Sequence, residues 1–212
     1  MNIPIGIFYY VCAMKGARTK KYILEKAAPL FNTKGYDGTS LADLENATGL
    51  TKGALYGNFG DKETLAHEVF LYTTTELKER FRSLLSPIPS YRGKLTALFD
   101  FFASYVLEPP VAGGCPLLNS AVEADDHRTT MRPLVAREIR EVVDSIAVLL
   151  RKGIKAGEFE KKTNVRELAY TFFCLVEGAI MFSRVERSRE PMDIVIKHCK
   201  NKLDQISCSK KG

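Results

Sequence analysis

The chain has 212 residues, 45% of them hydrophobic, and carries 31 Lys and Arg against 25 Asp and Glu for a net charge of +6. That length and apolar share suit a folded globular core, and the basic balance suits a polyanionic partner. Five cysteines, odd in number and never in a C-x-x-C pair, argue against a disulfide framework or a zinc site and for a reducing cytoplasm. The absence of an apolar run near the ~18 residues of a membrane span argues against a membrane protein.

The first fourteen residues, MNIPIGIFYYVCAM, are uncharged and lack the basic start and small-residue cleavage site of a signal peptide. They read as an extension outside the functional chain, with Met14 as the initiator; an extra packing helix or an ordered arm are the alternatives. Eight basic and five acidic side chains lie between Lys15 and Lys62, so half of the positive excess falls in under a quarter of the chain. A first helix is predicted from Arg18 to Asn32, with Ile23, Leu24, Ala27, Ala28, Leu30 and Phe31 on one face, a kink or a locally loosened turn at Pro29 and Gly35 as the C-terminal cap.

Thr39 and Ser40 open a second helix through the capping box S-L-A-D, and Leu41, Leu44 and Ala47 form its apolar stripe. Gly49 ends it, and Thr51 caps a third helix after a single intervening residue. That third helix, Thr51 to about Asn58 within the stretch GLTKGALYGNF, is barely two turns long and has only Leu55 and Phe59 to bury. Two helices joined by a glycine turn, the second short and polar, make a helix-turn-helix whose second helix enters the major groove of DNA. Gly53 and Gly57 give the helix N-terminus clearance to approach phosphate, its amides point at an anion, and Lys52 adds a full charge there.

Asp61 caps a fourth helix that runs to the Pro/Ser hinge SPIPS at Ser86–Ser90. Longer, more apolar helices are predicted at Tyr91–Leu107, Leu117–Asp125, Pro133 to about Gly157, Val165–Arg187 and Met192–Ile206. The pattern is all-α with about nine helices, divided into residues 15–62, a DNA-binding domain, and residues 63–212, with helix 61–85 as connector.

The runs ILEKAAPLFNTKGYDGTSLADL, GLTKGALYGNF and DKETL resemble the DNA-binding domain of the TetR family of transcriptional repressors over residues 18–65. The resemblance implies phosphate contacts from Thr39 or Ser40 and Lys62, a DNA end of the third helix at Thr51, Lys52, Gly53 and Ala54, and phosphate or base-edge contacts from Tyr56 and Asn58. Two positions depart from the family pattern: Glu45 replaces a small alanine between the helices, and Gly57 replaces a bulkier residue. The remaining helices are then expected to bind a small-molecule effector and to dimerise.

For that half the residues themselves suggest a cavity lined by Phe101, Phe102, Tyr105, Leu118, Val122, Phe172, Phe173, Val176 and Met181. Glu177, a carboxylate inside FFCLVEGAIMF, would need a partner if buried, and Cys115 in GGCP stands where a helix start could activate a thiol. The AVEADDHRTT stretch reads as a solvated helix end rather than a metal site. Leu175, Gly178, Ala179 and Phe182, with Ile194, Val195, Ile196, Leu203 and Ile206, place a homodimer contact in the last two helices. The function expected is a cytoplasmic, ligand-responsive repressor of a palindromic double-stranded DNA operator, with no cofactor or metal. The rival readings are a non-specific architectural DNA binder and an enzyme with its site in the C-terminal bundle, for which no nucleophile–base–orienter set is present.

Overall fold

A computed structural model describes the backbone of residues 5–208 and the side chains of residues 16–208. The expectation for the first fourteen residues falls on side chains outside that range. Among the described residues there are nine helices, and the chain divides into two compact units. The first contains residues up to Thr73 together with Val111–Gly113, and the second contains the rest.

In the first unit α1 (Ile5–Gly38) begins well before the expected Arg18. Its backbone stays helical through Pro29 and breaks at Gly35, where φ is 70° and ψ −179°. The expected kink at Pro29 does not occur: loss of one N–H leaves the rest of the ladder intact, whereas the conformation at Gly35 is one that side-chain-bearing residues rarely adopt. Ser40 caps α2 (Leu41–Thr48), accepting from the Asp43 amide at 3.1 Å while Asp43 Oδ2 accepts from the Ser40 amide at 2.9 Å. Gly49 closes α2 in the left-handed region (φ 68°, ψ 15°), so α3 (Lys52–Phe59) can turn away within three residues. Ile23, Ala27, Leu44, Leu55, Phe59, Leu65 and Val69 make the core of this unit. Val111 packs against the same core, and Asn32 Nδ2 donates to the Ala112 carbonyl at 2.8 Å.

Asp61 caps α4 (Lys62–Leu85), accepting from the Thr64 amide at 2.7 Å. Its N-terminal half contributes Leu65 and Val69 to the first core; from Thr74 onward it belongs to the second unit. There it is joined by α5 (Tyr91–Tyr105), α6 (Pro116–Asp126), α7 (Arg132–Lys155), α8 (Val165–Glu186) and α9 (Glu190–Ile206). Pro116, Pro133 and Pro191 stand in the first turns of α6, α7 and α9, where a missing N–H costs nothing. Leu95, Phe99, Leu150, Phe172, Ile180, Met192 and Leu203 are buried between these helices, with the Phe99 and Phe172 rings edge to face at 5.0 Å.

One exclusion made from the sequence does not hold. By length and composition α8 is long and apolar enough to cross a membrane. Its fold position accounts for that composition: Leu168, Phe172, Val176 and Ile180 face the bundle interior, and a second set of apolar side chains faces outward.

Candidate nucleic-acid interface and ligand cavity

The helix-turn-helix is anchored from below. Leu55 and Phe59 are the buried residues of α3, each contributing about 1.5–3 kcal/mol by leaving water. Tyr22 on α1 donates to the Thr48 carbonyl at 3.0 Å and ties α1 to the end of α2. Asp43 also accepts from Lys34 Nζ at 2.6 Å; that bond and those from Ser40 hold its carboxyl well below the usual range. Asp61 is likewise lowered by the Thr64 amide.

The anchoring leaves Thr51, Lys52 and Gly53 exposed at the N-terminus of α3. Thr51 Oγ1 accepts from the Ala54 amide at 3.4 Å. Glu45 Oε1 accepts from the Lys52 amide at 2.7 Å. Of the two outcomes open to Glu45, looser packing of the helix pair or an outward turn, it takes the second: it reaches out from α2 and caps α3 with a carboxylate at the positive end of the helix dipole. The expectation that all the first amides face an anion narrows accordingly: the Gly53 amide is the one of the first three in α3 without an intramolecular acceptor among the described residues. A Cβ at Gly53 would find its nearest heavy atom 4.0 Å away, and one at Gly57 would find nothing within 4 Å.

Thr39 does not share this surface. It is fully buried and its hydroxyl donates to the Gly35 carbonyl at 2.6 Å, so the exposed Ser40 is the member of that pair able to meet a phosphate. Ala54, Tyr56 and Asn58 are half-buried. Tyr56 packs against the core and burial raises its phenol, while Asn58 Nδ2 folds back onto the Ala54 carbonyl at 2.7 Å. Lys62 Nζ lies 4.3 Å from the centroid of the Tyr36 ring, which holds the ammonium in place at the start of α4.

The second unit contains a cavity of about 480 Å³. Phe102, Phe172, Phe173, Val176 and Glu177 line it as the sequence suggested; Phe101, Tyr105, Cys115, Leu118, Val122 and Met181 are not among its lining residues. Phe101 is stacked edge-on against Phe81 at 4.9 Å, Tyr105 and Cys115 are buried, and Val122 and Met181 point outward. Helical phase decides this: α4 and α7, whose Phe81, Leu85, Val142, Ile146 and Leu149 were missed, supply the walls that α6 was expected to give. The apolar stripe of α7 was visible in the sequence, but which side of it met a void was not.

Lys78 joins α4 to α7 through ion pairs to Glu138 at 2.7 Å and Glu141 at 2.5 Å. Burial works against both charges, but the hydrogen bonds between them prevail, raising Lys78 and lowering Glu138. Cys115 donates to Glu177 Oε1 at 3.1 Å. Burial, followed by the neighbouring Glu177, pushes the Cys115 thiol far up, the reverse of an activated cysteine. Among the described residues no three His, Cys, Asp or Glu side chains group as a metal ion would need.

Residues 23–69 match the profile of bacterial regulatory proteins of the tetR family, and residues 92–199 match the tetracyclin repressor-like C-terminal domain. The chain belongs to the TetR family. A TetR-family transcriptional regulator from Cytophaga hutchinsonii has a similar structure at 35% identity, with a TM-score of 0.86 over 92% of this chain and 98% of that one. The transcriptional repressor DhaR of Mycobacterium sp. (strain GP1) is 26% identical over 84% of this chain and 89% of its own length. A cysteine mutant of the TetR-family regulator CifR, solved with 26-bp double-strand operator DNA, shares the fold at 24% identity and a TM-score of 0.76, over 85% of this chain and 94% of that one. The tetR profile covers the helix-turn-helix and the C-terminal profile covers the cavity walls given by α5, α7 and α8, so this TetR-family chain is a DNA-binding transcriptional regulator.

Proposed function

We propose that the protein is a homodimeric repressor that holds a palindromic operator until a small apolar effector enters the cavity of the second unit. The observation that carries this reading is the N-terminus of α3, where Thr51, Lys52 and an open Gly53 amide lie exposed on a helix fixed by Leu55 and Phe59. Ser40, Lys52, Gly53 and Lys62 take phosphates, which set register, while Ala54 and the exposed parts of the half-buried Tyr56 and Asn58 meet phosphate or base edges, the latter setting sequence. Two such heads related by a two-fold axis read successive major grooves about 34 Å apart.

The dimer forms through the outward face of α8 and α9. Tyr170, Met181, Phe182, Val185 and Ile194 are exposed there, Val185 by 80% and Ile194 by 61%, while Gly178 leaves open space beside them. Ala179, Ile196, Leu203 and Ile206, expected in this contact, face inward instead. The effector acts through α4, a single helix that supplies Leu65 and Val69 to the reading head's core and Phe81 and Leu85 to the cavity wall. Release follows where effector and operator favour different settings of that helix. Such a regulator works in the cytoplasm.

The test is operator selection from random DNA with the full-length chain, then titration of selected and random duplexes over a range of salt. The reading expects the selected site to bind at least a thousandfold tighter than random duplex. Equal affinities would replace it with a non-specific architectural role.

A further inference from the structure

The cavity wall contains one carboxyl whose partners are incomplete. Glu177 projects from the apolar run FFCLVEGAIMF of α8, and its Oε2 is buried without a hydrogen-bond partner. Its Oε1 is engaged by Cys115, and no Lys or Arg among the described residues acts on it. The other charged groups of the lining balance one another: Lys78 and Arg82 on α4 stand against Glu141 and Asp144 on α7. Lys78 is already held by Glu138 and Glu141, and Arg82 pairs with Glu79. The groups near Glu177 from other elements are the Cys115 thiol before α6 and the Tyr105 hydroxyl on α5, and burial raises both above their ordinary values. Arg184 of α8 and Arg80 of α4 act on Tyr105, but neither acts on the Glu177 carboxyl. A buried carboxyl so placed either keeps a proton or takes a positive charge from outside.

The rest of the wall favours the same kind of molecule. Phe81, Phe99, Phe102, Phe172 and Phe173 line the cavity, and aromatic faces attract both flat apolar rings and cations. At about 480 Å³ it lies within the roughly 300–1,000 Å³ of pockets that enclose drug-sized molecules.

We propose that the effector is a predominantly apolar, ring-containing molecule bearing one amine or other cationic group, its rings among the phenylalanines and its cation against the Glu177 carboxylate. This rests on the reading of the cavity as the effector site. An anionic ligand would meet an uncompensated carboxylate, and a neutral one would leave the carboxyl in its proton-holding state. Because burial lifts Glu177 to about 7, protons compete with a cationic ligand across neutral pH. Affinity for a cation is therefore roughly tenfold higher at pH 8 than at pH 6, since the bound form requires the ionised carboxyl.

Three fluorescent probes of one shape test this on the full chain: pyrenemethylamine (cationic), pyrenemethanol (neutral) and pyrenecarboxylate (anionic), each titrated at pH 6 and pH 8 into the native protein and Glu177→Gln. The amine is expected to bind at least tenfold tighter than the alcohol at pH 8 and to lose about that factor at pH 6, with the carboxylate weakest. Glu177→Gln is expected to bind amine and alcohol alike, with no pH dependence. If amine and alcohol bind the native protein equally, or if the amine keeps its advantage in Glu177→Gln, the proposal falls and the cavity stands as a ligand site of other chemistry. If none of the three binds, the cavity reading falls and takes the proposal with it. Should Glu177→Gln fail to fold, a pH-independent amine affinity in the native protein is sufficient to overturn the proposal.

Discussion

Replacing Gly53 by alanine separates what the fold needs from what DNA needs. The added Cβ meets open space, its nearest neighbour being Thr51 Oγ1 at 4.0 Å, and the residue lies within α3. Alanine is favoured over glycine in a helix by about 1 kcal/mol, of which roughly half is expected so near the N-terminus. Gly53→Ala is therefore expected to stabilise the chain by about 0.5 kcal/mol, a rise of roughly 1–2 °C in melting temperature at this size. Gly53→Ala with Gly57→Ala, where a Cβ also meets nothing within 4 Å, should give roughly 1.5 kcal/mol. Operator binding should move the other way. A methyl group at the one open amide of the α3 N-terminus keeps a phosphate from closing on it, and a hydrogen bond to a charged group contributes about 1.5–3 kcal/mol. Two heads per operator make the loss about 3 kcal/mol or more, near a hundredfold in affinity. Thermal unfolding followed by ellipticity and operator titration by fluorescence anisotropy measure the two effects. A variant that is more stable yet binds the operator like the native protein would refute the clearance argument, and a less stable one would show that Gly53 serves the fold.

Glu177→Gln is expected to stabilise the protein above neutrality and not below pH 4.5. The native carboxyl titrates at about 7 when folded and near 4.5 when unfolded, so its burial costs nothing below the lower value and reaches its full cost above the higher one. That cost is at most about 3 kcal/mol, and urea midpoints at pH 4.5 and pH 8 should show the gain only at pH 8. Lys78→Met strips the 2.7 Å partner from buried Glu138 and leaves Arg137 at 3.3 Å as its remaining cation. A loss of about 2 kcal/mol is expected, less than for a fully buried pair because Lys78 is a third exposed. Glu138 is lowered in the fold, so its contribution exists above the ordinary carboxylate range and vanishes in acid; native and Lys78→Met chains should converge in urea midpoint as pH falls through that range. Val185→Lys places a charge on the outward face of α8 without touching the core. Sedimentation should show monomer at micromolar concentration with ellipticity unchanged, and operator affinity should fall by more than tenfold.

The sequence by itself determined the elements of the reading head. The Ser40–Asp43 box, the glycine at position 49, the Thr51 cap and the Asp61 cap are local devices whose hydrogen bonds span three or four residues, and local devices are legible in order along the chain. The same locality explains the nine helices among the described residues, since apolar period and caps report each one without reference to its neighbours. What lay beyond the sequence needed contacts between segments far apart in it. Glu45 became a cap for α3 only once the turn brought the Lys52 amide within 2.7 Å. Thr39 and Ser40, adjacent and alike in chemistry, took opposite fates because one faces α1 and the other solvent. The cavity depended on four helices at once. Its aromatic residues could be named from α5 and α8, but the walls from α4 and α7, and the isolation of Glu177 among charges paired elsewhere, exist only in the packed bundle. A periodic pattern states which face of a helix is apolar; only the tertiary structure decides whether that face meets another helix, a second chain or an open space.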